Sequence, residues 1–147
     1  MLVVMALYGD TPMVPWTYNN KEVTGHSFFD ESVVGFIYKI DYSNGQSYVG
    51  SKLIRSMTKL KPTKEQLAIR KNYVRKEMRD KHFMKYIGSS EKTKGLHIIS
   101  REILEVCSSR RALTYKEAYW LFHLKVLEKD NYINKNILGR FFKGNLV

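Results

Sequence analysis

The chain has 147 residues, enough for one compact domain with a short extension, and 44% of them are hydrophobic, so a packed core is available. A net charge of +11 points to a polyanionic partner, either nucleic acid or an acidic membrane surface. A single cysteine, Cys107, excludes an intrachain disulfide and a cysteine metal cage, and no run approaches the ~20 apolar residues of a membrane span.

Residues 1–34 read as an irregular N-terminal extension, with Pro12, Pro15, Asn19-Asn20 and Gly25 as turn formers. Leu2 to Leu7 are expected to add an edge strand, and Trp16, Tyr18, Phe28 and Phe29 to pack on the core. The opening MLVVMAL is apolar but lacks a basic flank, so it does not read as a signal peptide, and a cytoplasmic location is expected.

Gly35 to Lys52 reads GFIYKIDYSNGQSYVGSK. Phe36–Ile40 and Ser47–Val49 are β-type segments. Asn44-Gly45 between them is a strong hairpin signal, because both residues tolerate positive φ. Each arm carries a tyrosine, Tyr38 and Tyr48, and each is marked by a glycine, Gly35 before the first and Gly50 after the second.

From Lys52 to Lys94 there are fourteen Lys and Arg against four acids, so nearly all of the excess charge lies in one segment. Pro62-Thr63 opens a predicted helix running to about Met84, with Thr63 and Gln66 at capping-box spacing. Leu67, Val74 and Met78 are its apolar stripe. Lys71, Arg75, Arg79 and His82 fall on one basic face at helical spacing, suited to phosphate contact.

Gly88-Ser89-Ser90 breaks the chain, and Leu96 to Cys107 reads as a third strand with Cys107 as a small core residue. A second helix is predicted from Thr114 to near Glu128, with Ala118, Leu121, Phe122, Val126 and the stem of Lys125 on one face. Thr114 and Glu117 also have capping-box spacing, which would occupy Glu117 at the end of its own helix. The tail from Asn131 shows little regular pattern. Two or three strands with two main helices make an α+β domain over residues 35–147.

Gly35, Ile37 and Tyr38, followed by Tyr48, Val49 and Gly50, resemble the two motifs of the GIY-YIG nuclease family. Lys85-Tyr86-Ile87-Gly88-Ser89-Ser90, Glu102 to Cys107 and Tyr132 to Ile137 resemble further elements of small phage-encoded members, as does Trp16-Thr17-Tyr18-Asn19. The resemblance implies a small three-stranded antiparallel sheet flanked by helices and an enzyme that hydrolyses DNA phosphodiester bonds with Mg²⁺ or Mn²⁺. It implies Tyr48 as the base that activates water, Tyr38 as its support, Glu117 as the metal ligand and Asn134 (with Asn136 close by) as a supporting residue.

A phenol titrates near pH 10, so a base role needs nearby cations, and Lys52 is placed to supply one. The family's arginine has no counterpart at the usual distance. Arg79 with His82 is the first candidate and Arg75 the next. Asp80 and Glu91 are the next carboxylates after Glu117. Lys71, Arg75, Lys85, Tyr86 and Ser89 are the expected nucleic-acid contacts. DNA is the expected partner, a membrane is not, and a homodimer stays open, as does nicking against double-strand cutting. If phage-encoded, the protein would work in the bacterial host cell. The alternative is a nucleic-acid-binding protein on the same scaffold with impaired catalysis. An acidic-protein binder using the basic segment is a third class.

Overall fold

The computed structural model describes residues 7–8, 11–88 and 95–146. In chain order its strands are β1 (Leu7–Tyr8), β2 (Thr11–Pro12), β3 (Trp16–Tyr18), β4 (Lys21–Glu22), β5 (Gly35–Tyr42), β6 (Ser47–Leu53), β7 (Arg55–Leu60), β8 (Arg75–Asp80), β9 (Ile98–Cys107), β10 (Asn136–Ile137) and β11 (Phe141–Phe142). The helices are α1 (Lys64–Ile69) and α2 (Arg110–His123). Of the expected strand over Leu2 to Leu7, all but Leu7 lies outside the described residues.

The main sheet has the order β4-β3-β9-β5-β6. Its centre is the antiparallel trio β9-β5-β6 that the sequence predicted. The sheet is nevertheless five-stranded and mixed, not three-stranded and antiparallel, because β3 adds in parallel to the other edge of β9. The pairing covers a sheet edge that would otherwise be open. Asn19 and Asn20 both adopt positive φ in the tight β3–β4 turn, as a two-residue hairpin requires. In the β5–β6 turn only Gly45 has positive φ, and the Asn44 side chain accepts from the Gln46 amide.

β5 is buried on both faces. Phe36, Tyr38, Ile40 and Tyr42 point into an aromatic cluster with Trp16, Phe29 and Phe83, whereas Ile37 points at Leu113 and Leu121 of α2. Residues of the N-terminal segment therefore form one wall of the core. Arg101 of β9, only 2% exposed, holds this layer in place. Its guanidinium donates to the carbonyls of Val14 (2.7 Å), Met84 (2.9 Å) and Tyr86 (2.8 Å) and lies 4.6 Å from the Trp16 ring. Burial pulls its pKa down to about 10, so it stays charged at neutral pH.

The long helix predicted from Pro62 to Met84 is not formed. The Thr63–Gln66 capping box is present, but α1 ends at Ile69 and the chain returns as β8, paired with β7 in a separate two-stranded arm. The supposed apolar stripe has nothing to bury against, since Leu67, Val74 and Met78 are all exposed. Arg75, Glu77 and Arg79 instead alternate along a strand, with both arginines paired to Glu77.

The second helix also starts earlier and ends earlier than predicted. Ser109, not Thr114, is its N-cap, and Thr114 donates back to the Arg110 carbonyl. Glu117 thus sits inside α2, and the capping role for it is excluded. The helix closes after His123, where Lys125 takes positive φ, its amide donating to the Phe122 carbonyl and that of Val126 to Leu121. Lys125 is exposed and covers no core. Among the described residues, no helix is long and apolar enough to cross a membrane.

Replacing Arg101 by Met would strand three part-buried carbonyls. An unpaired buried group costs about 1–3 kcal/mol, so Arg101→Met is expected to lose on the order of 3 kcal/mol or more in urea denaturation.

Candidate active site

β6 lies at one end of the sheet, so the N–H groups of Ser47, Val49 and Ser51 face outward with no neighbouring strand. A different group of the fold takes each of them. The Ser47 amide donates to the Asn131 carbonyl at 2.7 Å. The Val49 amide donates to Asn134 Oδ1 at 3.1 Å, and Asn134 Nδ2 returns a bond to the Val49 carbonyl at 2.8 Å. The Ser51 amide and hydroxyl both donate to the Glu117 carboxylate. Asn134, 6% exposed, thus acts as a short piece of strand made from a side chain.

This ladder brings Tyr48, Glu117 and Asn134 together. With Val49, Lys135 and Asn136 among others, they line an open cleft of ≈ 420 Å³. Burial raises the Glu117 pKa above the usual glutamate value, although the Ser51 hydrogen bonds pull the other way.

Tyr38 lies behind Tyr48, their ring centroids 6.3 Å apart. Its hydroxyl donates to the Tyr86 hydroxyl at 3.3 Å, and Lys52 Nζ stands 4.7 Å from the Tyr86 ring centroid. Burial first, then Tyr86, Tyr48 and Glu117, push the Tyr38 pKa well above 10, so it remains a neutral phenol. The motif glycines provide close approach. A Cβ on Gly50 would stand 2.7 Å from Tyr38 Oη, and one on Gly35 would stand 2.6 Å from the Lys52 carbonyl oxygen and 2.9 Å from Leu113 Cδ2.

The other expected residues lie apart from this cluster's contacts. Arg79 and Arg75 are on β8, bound to Glu77 at 2.9 and 2.8 Å. Lys71 is exposed in the turn before β8, and His82 and Lys85 are exposed after it. Asp80 forms an ion pair with Arg55 at 3.4 Å. Ser89 and Glu91 lie outside the described residues. Ser51 was missed by sequence reasoning, because a serine after the second motif glycine gives no sign of which helix will approach it.

Two antiparallel strands with a glycine-framed tyrosine on each, packed against a helix that presents one glutamate, define a nuclease domain of the GIY-YIG class. The family model described as "Putative endonuclease segE, GIY-YIG domain" matches residues 16–137, and the chain belongs to this family. No curated protein and no solved structure matches it significantly.

Asn134→Ala would leave the amide and carbonyl of Val49 without their partners. The expected loss is about 1–3 kcal/mol per unsatisfied group, read from urea denaturation. Asn134→Asp should be no better, since a carboxylate cannot donate to the Val49 carbonyl.

Proposed function

We propose that the protein is a metal-dependent DNA endonuclease in which Tyr48 activates the attacking water and Glu117 holds the cation. The observation that carries this is the convergence of Tyr48, Glu117 and Asn134, from three separate parts of the chain, on one cleft. Of the two motif tyrosines, Tyr38 is buried and held neutral, whereas Tyr48 lines the cleft, which supports Tyr48, as its phenolate, as the group that takes a proton from water.

Among the described residues, no cluster of three or more His, Cys, Asp or Glu forms a metal cage. A single carboxylate still fits Mg²⁺ or Mn²⁺. Mg²⁺ in particular keeps several waters and is commonly held by one or two carboxylates together with substrate phosphates. Glu117 offers a hard oxygen ligand at an open cleft, oriented through Ser51. When bound, the cation would polarise the scissile phosphate and neutralise its developing charge.

Asn134 acts as a positioning residue, since its amide holds the backbone between Tyr48 and Gly50. Lys52 supplies positive charge beside Tyr86, the hydrogen-bond partner of Tyr38. Lys71, Lys85 and Tyr86 are assigned to DNA contact. Arg75 and Arg79 share their charge with Glu77, and neither they nor His82 take part in the chemistry in this scheme.

Glu117→Gln is expected to reduce Mg²⁺-dependent cleavage of plasmid DNA by on the order of 10²-fold or more, equivalent to several kcal/mol of charge stabilisation. The fold should survive. Burial raises the folded pKa above the unfolded one, so the charge that the carboxyl carries above that pKa costs folded-state stability rather than adding to it. Removing the charge therefore should not lower the melting temperature at pH 7 in EDTA, and the amide oxygen can still accept from Ser51. A variant that cuts at the wild-type rate would remove Glu117 from the metal role.

Tyr48→Phe deletes only the hydroxyl. If that hydroxyl is the base, turnover should fall by about 10²–10⁴-fold with DNA affinity unchanged. Equal loss of turnover from Tyr38→Phe and Tyr48→Phe would overturn the distinction drawn between them.

A further inference from the structure

We propose that the β7–β8 arm is a DNA-docking ribbon that places one of its two faces, marked by Met57, Met78, Lys59 and Lys76, in the major groove of duplex DNA. The proposal rests on the nucleic-acid reading above but not on the catalytic one. Residues 55–81 hold ten of the chain's 25 Lys and Arg against three acids. They form a two-stranded sheet of their own, outside the main sheet.

Register separates the charges by face. Cross-strand partners in an antiparallel pair share a face. Met57 is opposite Met78 and Lys59 opposite Lys76, whereas Thr58 opposite Glu77, Ser56 opposite Arg79 and Leu60 opposite Arg75 make the other face. On that second face Glu77 binds both arginines. On the first, two like charges stand directly opposite, an arrangement that destabilises a ribbon left to itself. Among the described residues, neither Lys59 nor Lys76 has an acid partner. Beside them Met57 and Met78 are 56% and 49% exposed.

A bare ammonium pair next to exposed thioethers fits a polyanion that carries apolar groups. A phosphate backbone would relieve the lysine repulsion, and methionine would meet thymine methyls and base edges. The B-DNA major groove admits a two-stranded ribbon.

The root of the arm is rigid, as a docking element requires. Arg55, at the start of β7, is buried and donates to the carbonyls of Asp30 (2.7 Å), Val33 (2.8 Å) and His26 (3.0 Å). The Lys81 amide, just past β8, donates to the Ile54 carbonyl at 2.7 Å. The arm also begins two residues after the end of the strand that carries Tyr48 and Lys52, so its direction is tied to the cleft.

The test measures binding of a fluorescent 30-base-pair duplex by anisotropy in EDTA, where no cutting interferes, over a series of salt concentrations. Lys59→Ala/Lys76→Ala is expected to weaken binding about 10- to 100-fold at low salt and to flatten the log–log salt slope by up to about two units. Arg75→Ala/Arg79→Ala removes the same formal charge from the opposite face and should change the slope by less than half as much. Met57→Ala/Met78→Ala should weaken binding with the slope unchanged. Circular dichroism checks that each variant is folded.

Three results would overturn the proposal. The first is wild-type binding by the lysine variant, or no binding by the wild-type chain. The second is equal weakening by both charge variants, which would mean diffuse charge alone. The third is a lysine variant that binds DNA normally but changes its sedimentation, which would make this face a contact between copies. Failure of the protein to cut with Mg²⁺ would leave these results standing and count only against the catalytic reading.

Discussion

An edge strand must have its outward hydrogen-bonding groups satisfied, and here that requirement assembles the site. The outer amides of β6 are taken in succession by the Asn131 carbonyl, the Asn134 side chain and the Glu117 carboxylate. Each interaction closes an edge that would otherwise invite pairing with another chain. Each also brings a distant segment to the strand that carries Tyr48. The contacts that stabilise the edge are therefore the ones that the proposed function uses, and a change at Asn134 or Ser51 is expected to act on both.

Burial around that edge is uneven, and the proposed chemistry depends on the difference. The aromatic layer built by Trp16, Phe29 and Phe83 encloses Tyr38, whereas Tyr48 lines the cleft. Gly50 lets the Tyr38 hydroxyl stand against the β6 backbone, where any side chain would collide with it. Two similar phenols one strand apart thus become a buried, neutral hydrogen-bond donor and a half-buried group lining the cleft. The layer is held by buried guanidiniums, Arg101 and Arg55, that donate to backbone carbonyls. Such bonds suit irregular segments, whose carbonyls have no ladder to join.

The basic segment shows how a spacing can mislead. Positions four apart share a face in a helix, but they also share a face in a strand, whose period is two. Arg75 and Arg79 therefore lie on one face under either reading. Glu77 separates the two. On a strand it lies between the arginines on their face, and there it binds both; on a helix it would point elsewhere. The basic face expected from Lys71, Arg75 and Arg79 thereby has part of its charge paired with Glu77, whereas Lys59 and Lys76 have no acid partner among the described residues.

By itself the sequence determined the β5–β6 hairpin, the glycines that frame its tyrosines, the third strand and the α+β class. These rest on local turn chemistry and short-range period, which a chain carries wherever it is placed. It also held enough of the family's pattern to point to Tyr48 and Glu117. Only the tertiary structure decided that Trp16–Tyr18 joins the sheet, that Ser109 caps α2 and so leaves Glu117 free of that role, and that Ser51 holds its carboxylate. It alone turned the predicted basic helix into an arm. The reason is the same in each case. Capping, edge pairing and strand-versus-helix choice depend on which groups remain unsatisfied and which surfaces remain uncovered once distant segments have met, and no local window contains that information.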